Sequence, residues 1–314
     1  MHAAIFAAPT RARIDKVKLP QPGERQVRVR LEGCGVCGSN LAPWEGRPWF
    51  KYPFDPGAPG HEGWGYVESL GPNTTRASIG DRVALLSYNA FAEYDIAAED
   101  ALVPLPLALK GKPFPGEALG CAMNVFKRCD IRPGQWVAVV GIGFLGALLT
   151  GLAARACARV VAISRRPFAL DIARTFGATE TVTFDGARDA VLKLTDGQGC
   201  ERVIEAVGNQ SSLELASDLT RERGKLIIAG YHQDGLRQVN MQQWNWRGID
   251  VINAHERDPR VYVDGMRAAA DAVARGDLDP SPLYTHKFAL DRISDAFTAL
   301  GERPSRFMKA LIQL

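Results

Sequence analysis

Cysteine is scarce in this chain, and charge imbalance is slighter still. Of six cysteines in 314 residues only Cys34 and Cys37 lie close together, which is not the paired spacing of a disulfide framework. The net charge is +3, with the basic residues scattered, so there is no electrostatic footprint for nucleic acid. No internal repeat or low-complexity tract appears. The opening residues, MHAAIFAAPT, lack a basic region followed by a long apolar core, so no secretion signal is read and the expected compartment is the cytoplasm. Two sequons, Asn73-Thr74-Thr75 and Asn209-Gln210-Ser211, are then chance matches. One stretch, Trp136 to Ala154, runs nineteen residues without a charge, long enough for a membrane span. Four glycines within it, a turn signal in mid-run and Arg155 and Arg159 just beyond read instead as a strand followed by a buried helix. No membrane partner is expected.

That same stretch organises the rest. Trp136-Val137-Ala138-Val139-Val140 is a short apolar, β-branched run of the kind buried in parallel sheets. Gly141, Gly143 and Gly146 follow in G-x-G-x-x-G spacing and open a helix over Phe144 to Ala154. In that context the first glycine permits the tight turn, the second lets backbone approach a pyrophosphate, and the third lets helix and strand pack closely. The free N–H groups at the helix start then face phosphate.

Length suits two domains. Before the glycine unit the chain reads as β-rich. Strands are expected at 3–7, 12–18 and 25–31, where Val27, Val29 and Leu31 alternate with Arg28 and Arg30, then at Trp64–Leu70 and Asp81–Leu86, with Pro43 to Gly65 as loop. A helix is expected at Glu117–Arg128. Beyond Gly146 strands and helices alternate, with strands at 159–163, 180–184, 202–206, 225–230 and 249–253, implying a doubly wound parallel sheet. A helix from Pro167 to Gly177 should bury Phe168, Ile172 and Phe176. After about residue 257 come a helix, a strand near Tyr284–Leu290, a helix at Ile293–Leu300 and an end strand, Met308–Ile312.

Gly33-Cys34-Gly35-Val36-Cys37-Gly38-Ser39-Asn40, then Pro59-Gly60-His61-Glu62-Gly63, then Gly80-Asp81-Arg82-Val83, the glycine unit and Val203-Ile204-Glu205-Ala206-Val207-Gly208 stand in that order over nearly the whole chain. Together they resemble the zinc-type medium-chain alcohol dehydrogenase/reductase superfamily. The resemblance implies an α/β chain: a GroES-like β-rich catalytic domain over 1–117, a Rossmann dinucleotide-binding domain over 118–256, and a return to the catalytic domain over 257–314. It also implies a homodimer or homotetramer joined through the Rossmann domain, with Trp244 and Trp246 as interface candidates.

A catalytic zinc takes three protein ligands and leaves one position open. The resemblance assigns these to Cys37, His61 and Glu117, with Glu62 exchanging in when substrate is absent. Ser39 would accept the alcohol proton. Two departures stand out. Asn40 occupies the place of an aspartate that would back the ligating histidine, and Ala42 replaces a relay histidine, so the proton leaves through Ser39, the cofactor ribose and water, or a residue such as Glu45. The four clustered cysteines of a structural-zinc lobe are missing between Val83 and Val103, which predicts one zinc per chain. Cys34, Cys121, Cys129, Cys157 and Cys200 are read as structural, as are His255 and His286.

For the cofactor, Ser164 stands where an acid would hold a ribose 2′-hydroxyl, and Arg165 and Arg166 offer guanidinium groups to a 2′-phosphate. NADP(H) is expected in preference to NAD(H), with contacts from Gly141, Gly143, Phe144, Leu145, Gly146, Ser164, Arg165, Arg166, Val207, Gly208, Gly230 and Tyr231. The expected reaction is hydride transfer between an alcohol or carbonyl compound and that cofactor. A zinc-free quinone or enoyl reductase of the same superfamily and a non-enzymatic NADPH-binding protein are the alternatives. Trp44, Trp49, Phe50, Tyr88 and Phe91 either wall a pocket for a bulky alcohol or serve as packing.

Overall fold

A computed structural model describes residues 1–314. The chain divides into two compact units, Met1–Cys121 together with Arg257–Leu314, and Ala122–Glu256.

The first unit is built on strands β1 (His2–Ala8), β2 (Arg11–Lys16), β3 (Gln26–Val36), β4 (Gly63–Leu70), β5 (Arg82–Leu85), β6 (Tyr94–Ala98) and β7 (Leu102–Pro104), with helix α1 (Leu41–Glu45) and the start of α2 (Gly116–Cys129). Strand β3 is its axis. It pairs antiparallel with β4 and with β6, and its inward residues Val27, Val29 and Leu31 are buried. The expected alternation is imperfect. Arg28 is buried as well, because its guanidinium is paired with Glu68 at 2.7 Å and bonded to the Pro20 carbonyl.

The second unit carries β8 (Trp136–Val140), α3 (Phe144–Arg155), β9 (Arg159–Ser164), α4 (Pro167–Thr175), β10 (Glu180–Thr183), α5 (Ala187–Leu194), β11 (Cys200–Glu205), α6 (Gln210–Leu219), β12 (Thr220–Ile228), α7 (Met241–Arg247) and β13 (Asp250–Asn253). Its six strands lie in the order β10-β9-β8-β11-β12-β13, every neighbouring pair parallel. This is the doubly wound order, whose direction reverses between β8 and β11. The uncharged run is a strand and a helix whose residues Gly146–Ala153 are all buried, and no helix is long and apolar enough to cross a membrane.

The chain then returns to the first unit through α8 (Pro259–Ala274), β14 (His286–Ala289), α9 (Ile293–Glu302) and β15 (Ala310–Gln313). Strand β15 pairs with β3 on the side away from β4. Phe297 of α9 closes the core by meeting the rings of Phe6, Trp44 and Phe91.

Four elements differ from expectation for reasons of size and pattern. Strand β7 has three residues and α1 five, too short to carry a period. Helix α7 buries none of its residues and so shows no apolar stripe. In α4 the buried face is Ala169, Leu170, Ile172 and Ala173, with Phe168 and Phe176 only half-buried. The small side chains let that helix lie close to the sheet.

Candidate active site

Antiparallel register assembles the first cluster. Cys34 of β3 faces Gly63 of β4, and the Gly35 N–H donates to the Glu62 carbonyl at 3.1 Å. The residues just past the end of β3 therefore meet those just before β4. Cys37, His61 and Glu62 present their ligating atoms within 4.8 Å of one another. Gly35 permits this approach, since a Cβ there would collide with the Glu62 carboxylate. Glu117, in the first turn of α2, brings Oε2 to 4.0 Å from His61 Nε2, and its side chain is largely buried rather than solvated.

Asn40 buckles the two ligand-bearing segments together. Its Oδ1 accepts the Cys37 N–H at 3.2 Å, and its Nδ2 donates to the Pro59 carbonyl at 3.1 Å. His61 Nδ1 lies 3.0 Å from that same carbonyl and 3.4 Å from Asn40 Nδ2. With Nδ1–H given to Pro59, Nε2 is left as the ligating nitrogen. Ser39 sits half-buried in the 3-10 turn Gly38–Asn40. Glu45 is at the surface, paired with Arg47.

Two further groups enter this cluster without a signal in their local sequence. Lys309 places its ammonium 2.7 and 2.6 Å from the two oxygens of Glu62, both residues buried. The hint available was a lysine inside the apolar end segment Met308–Ile312, which needs a partner if the segment is buried. Cys121, read above as structural, donates its thiol to Glu117 Oε1 at 3.2 Å.

Electrostatics follow from burial and crowding. Burial opposes charge on His61, but its hydrogen bond with Cys37 and the negative charges of Cys37, Glu117 and Glu62 raise it to about 10. Burial raises the Glu117 carboxyl, with His61 acting the other way. Burial also works against the Lys309 ammonium, and Glu62 beside it more than compensates. The acidic donors Cys37, Glu62 and Glu117 crowd one buried spot where Lys309 is the one basic side chain besides His61 itself. Buried charge must be paired, and a divalent cation has the charge and the N/S/O donors of a zinc site.

The aromatic residues separate into two groups. Trp44 and Phe91 belong to the buried core, so as pocket walls they are corrected. Tyr88 is exposed and stacks on the His61 ring, with centroids 6.5 Å apart and planes at 14°. Trp49 is exposed and leans on Phe50. His286 packs between Phe288 and Phe307.

The second cluster lies in the other unit, where the sheet order reverses. Gly141 turns with φ +99°, and Gly146 touches the Gly141 carbonyl so closely that no Cβ fits. Gly143 caps α3 and faces open space. At the end of β9, Ser164 is buried and accepts the Arg166 N–H at 3.2 Å. Arg165 lies over the Phe184 ring at 4.1 Å with Nη2 3.5 Å from the Ser211 hydroxyl. Arg166 Nη2 reaches the Ile142 carbonyl at 3.3 Å. Val207 and Gly208 follow β11, and Gly230 and Tyr231 follow β12. Both Val207 and Tyr231 are exposed, and His255 Nε2 meets the Gly230 carbonyl at 3.0 Å. Trp244 is half-buried against the core of this unit, and its indole donates to Ser217 Oγ at 2.6 Å. Trp246 is 89% exposed.

Comparison with known proteins agrees with this two-part design. Residues 23–107 match the alcohol dehydrogenase GroES-like domain and residues 142–271 the zinc-binding dehydrogenase domain. An alcohol dehydrogenase of Rhizobium meliloti (strain 1021) is 30% identical over 250 residues, covering 69% of this chain and 73% of the relative. A sorbitol dehydrogenase of Halalkalibacterium halodurans is 26% identical over 317 residues, 90% of each chain. A crystal structure described as a zinc-binding dehydrogenase from Sinorhizobium meliloti 1021, bound to NADP, superposes with a TM-score of 0.86 at 23% identity, covering 100% of this chain and 99% of the other.

Proposed function

From the premise that this chain belongs to the zinc-type medium-chain alcohol dehydrogenase/reductase superfamily and is an oxidoreductase of that kind, we propose that it moves a hydride between an alcohol or carbonyl compound and NADP(H), with one catalytic zinc. The observation that carries this reading is the convergence of Cys37, His61, Glu62 and Glu117 on one buried, negatively charged point. Cys37, His61 and Glu117 would hold the ion. Glu62, whose carboxylate pairs with Lys309, would enter as a fourth donor when substrate is absent. When bound, zinc supplies Lewis-acid polarisation of the substrate oxygen. Asn40 and the Pro59 carbonyl orient the imidazole, and Ser39 takes or gives the substrate proton. Tyr88, stacked on His61, bounds the substrate side.

The preference for NADP(H) is supported by the absence of a carboxylate at Ser164 and by the adjacent Arg165, whose guanidinium lies over the Phe184 ring. The NADP-bound zinc-binding dehydrogenase of the same fold is consistent with it. A homo-oligomer is supported by the exposed Trp246 and by β13, an edge strand with Val251 exposed, which a second copy would cover.

Elemental analysis with a panel of alcohols and ketones tests this. About one zinc per chain, lost in Cys37→Ser together with NADPH-dependent turnover, is expected. Quinone reduction without zinc would establish the zinc-free reductase instead. NADPH binding with no turnover of any substrate class would leave a non-enzymatic protein.

A further inference from the structure

Glu205 ends β11 with its carboxylate fully buried. Its Oε1 accepts the N–H groups of Val207 and Gly208, each at 2.8 Å, and the Ser212 hydroxyl at 2.7 Å. Its Oε2 lies 3.1 Å from His232 Nε2. On the far side of the ring, Arg237 Nε donates to His232 Nδ1 at 2.8 Å. A guanidinium has no acceptor and keeps its protons, so Nδ1 is the bare nitrogen and Nε2 carries the hydrogen. The tautomer is dictated by the neighbours. Arg237 also donates through Nη2 to the Gly208 carbonyl at 2.9 Å and pairs with Asp234. The contacts close a ring from the Gly208 N–H through Glu205, His232 and Arg237 to the Gly208 carbonyl. Gln210 and Gln238 tie the same loop to the start of α6 with bonds of 2.9 and 3.0 Å.

We propose that Glu205, His232 and Arg237 are a positioning relay that holds Val207 and Gly208 in place for the dinucleotide. The relay rests on the cofactor reading above for its ligand, though not for its geometry. Removing the imidazole would take the donor from Glu205 Oε2 and the acceptor from Arg237 Nε, so the bond from Arg237 to the Gly208 carbonyl would lose a contact that fixes it. The charged groups facing His232 are Glu205 from β11 and Arg237, backed by Asp234, from its own loop. His255, from the segment after β13, is turned to the Gly230 carbonyl instead.

Glutamine is the discriminating replacement, because its amide can donate to Glu205 and accept from Arg237, whereas leucine can do neither. The full-length protein and its His232→Gln, His232→Leu and Arg237→Leu variants are compared in two ways. The first is NADP+ titration by tryptophan quenching at neutral pH. The second is hydrogen exchange at the Val207 and Gly208 amides without cofactor. His232→Gln should bind about as tightly as the unaltered protein and keep its exchange rates. Both leucine variants should bind roughly tenfold more weakly and exchange those amides faster. Exchange that responds this way in a protein that binds neither dinucleotide upholds the relay and removes the cofactor reading. Unchanged exchange and affinity in His232→Leu, or a loss in His232→Gln as large as in His232→Leu, overturns the relay.

Discussion

The ammonium of Lys309 sits astride the carboxylate of Glu62, 2.7 and 2.6 Å from its two oxygens, although 247 residues separate them in sequence. The pair is delivered by register. Strand β15 sets Ala310 opposite Val36 while β4 sets Gly63 opposite Cys34, so the residues just outside each ladder flank Cys37 from opposite sides. Removing one partner from a buried pair leaves an uncompensated charge. Lys309→Met should therefore lower the unfolding free energy of the zinc-free protein by about 3–5 kcal/mol. Urea denaturation checks this, and a loss below about 1 kcal/mol would mean that Glu62 finds another partner.

Zinc affinity should rise with pH. His61 must be neutral to ligate, and its neighbours raise it to about 10, so at neutral pH an incoming ion displaces its proton. Each displaced proton strengthens apparent binding by roughly tenfold per pH unit until the group titrates. Glu117, raised by burial, adds to the slope at the acid end. Chelator competition between about pH 6 and 8 measures it. A flat profile would show that His61 is not among the ligands.

Gly35→Ala should disturb the same centre without touching a ligand. The added methyl falls on the Glu62 carboxylate, forcing it off Lys309 at an expected loss of about 1–3 kcal/mol. Thermal unfolding of the zinc-free protein is the measurement. A stability equal to that of the unaltered chain would mean that Glu62 is free to move.

Arg165→Ala should weaken NADPH binding by roughly 10- to 100-fold, the range for a charge-assisted hydrogen bond, and leave NADH nearly unaffected. Ser164→Asp should reverse the preference by setting a carboxylate against the 2′-phosphate. Parallel titrations with both dinucleotides decide it. Equal losses for the two would assign Arg165 to a part of the cofactor they share.

Trp246→Asp combined with Val251→Lys should leave a monomer in light scattering, since both exposed side chains lie on or beside the open edge of the parallel sheet. An unchanged mass would locate any assembly elsewhere on the molecule.

The nucleotide unit was largely legible in the sequence, because its signals are local. The glycine spacing at Gly141–Gly146, the apolar run before it and the strand–helix alternation after it each depend on neighbours a few residues apart. The arginines after β9 were legible for the same reason, although their different orientations, Arg165 over Phe184 and Arg166 back towards Ile142, were not. Cys37, His61 and Glu117 could be named only through resemblance to a family, since no local pattern announces that they meet. Lys309, Cys121, His232 and Arg237 were not anticipated. Each acquires its role from a partner brought alongside by sheet register or loop packing, and a buried charge or a histidine tautomer has no meaning until that partner is in contact. Composition and periodicity settled most of the longer strands and helices, through short-range sterics and the burial of apolar faces. The charge state and contacts of the site were decided by tertiary structure, because electrostatic and hydrogen-bond energies depend on distance in space.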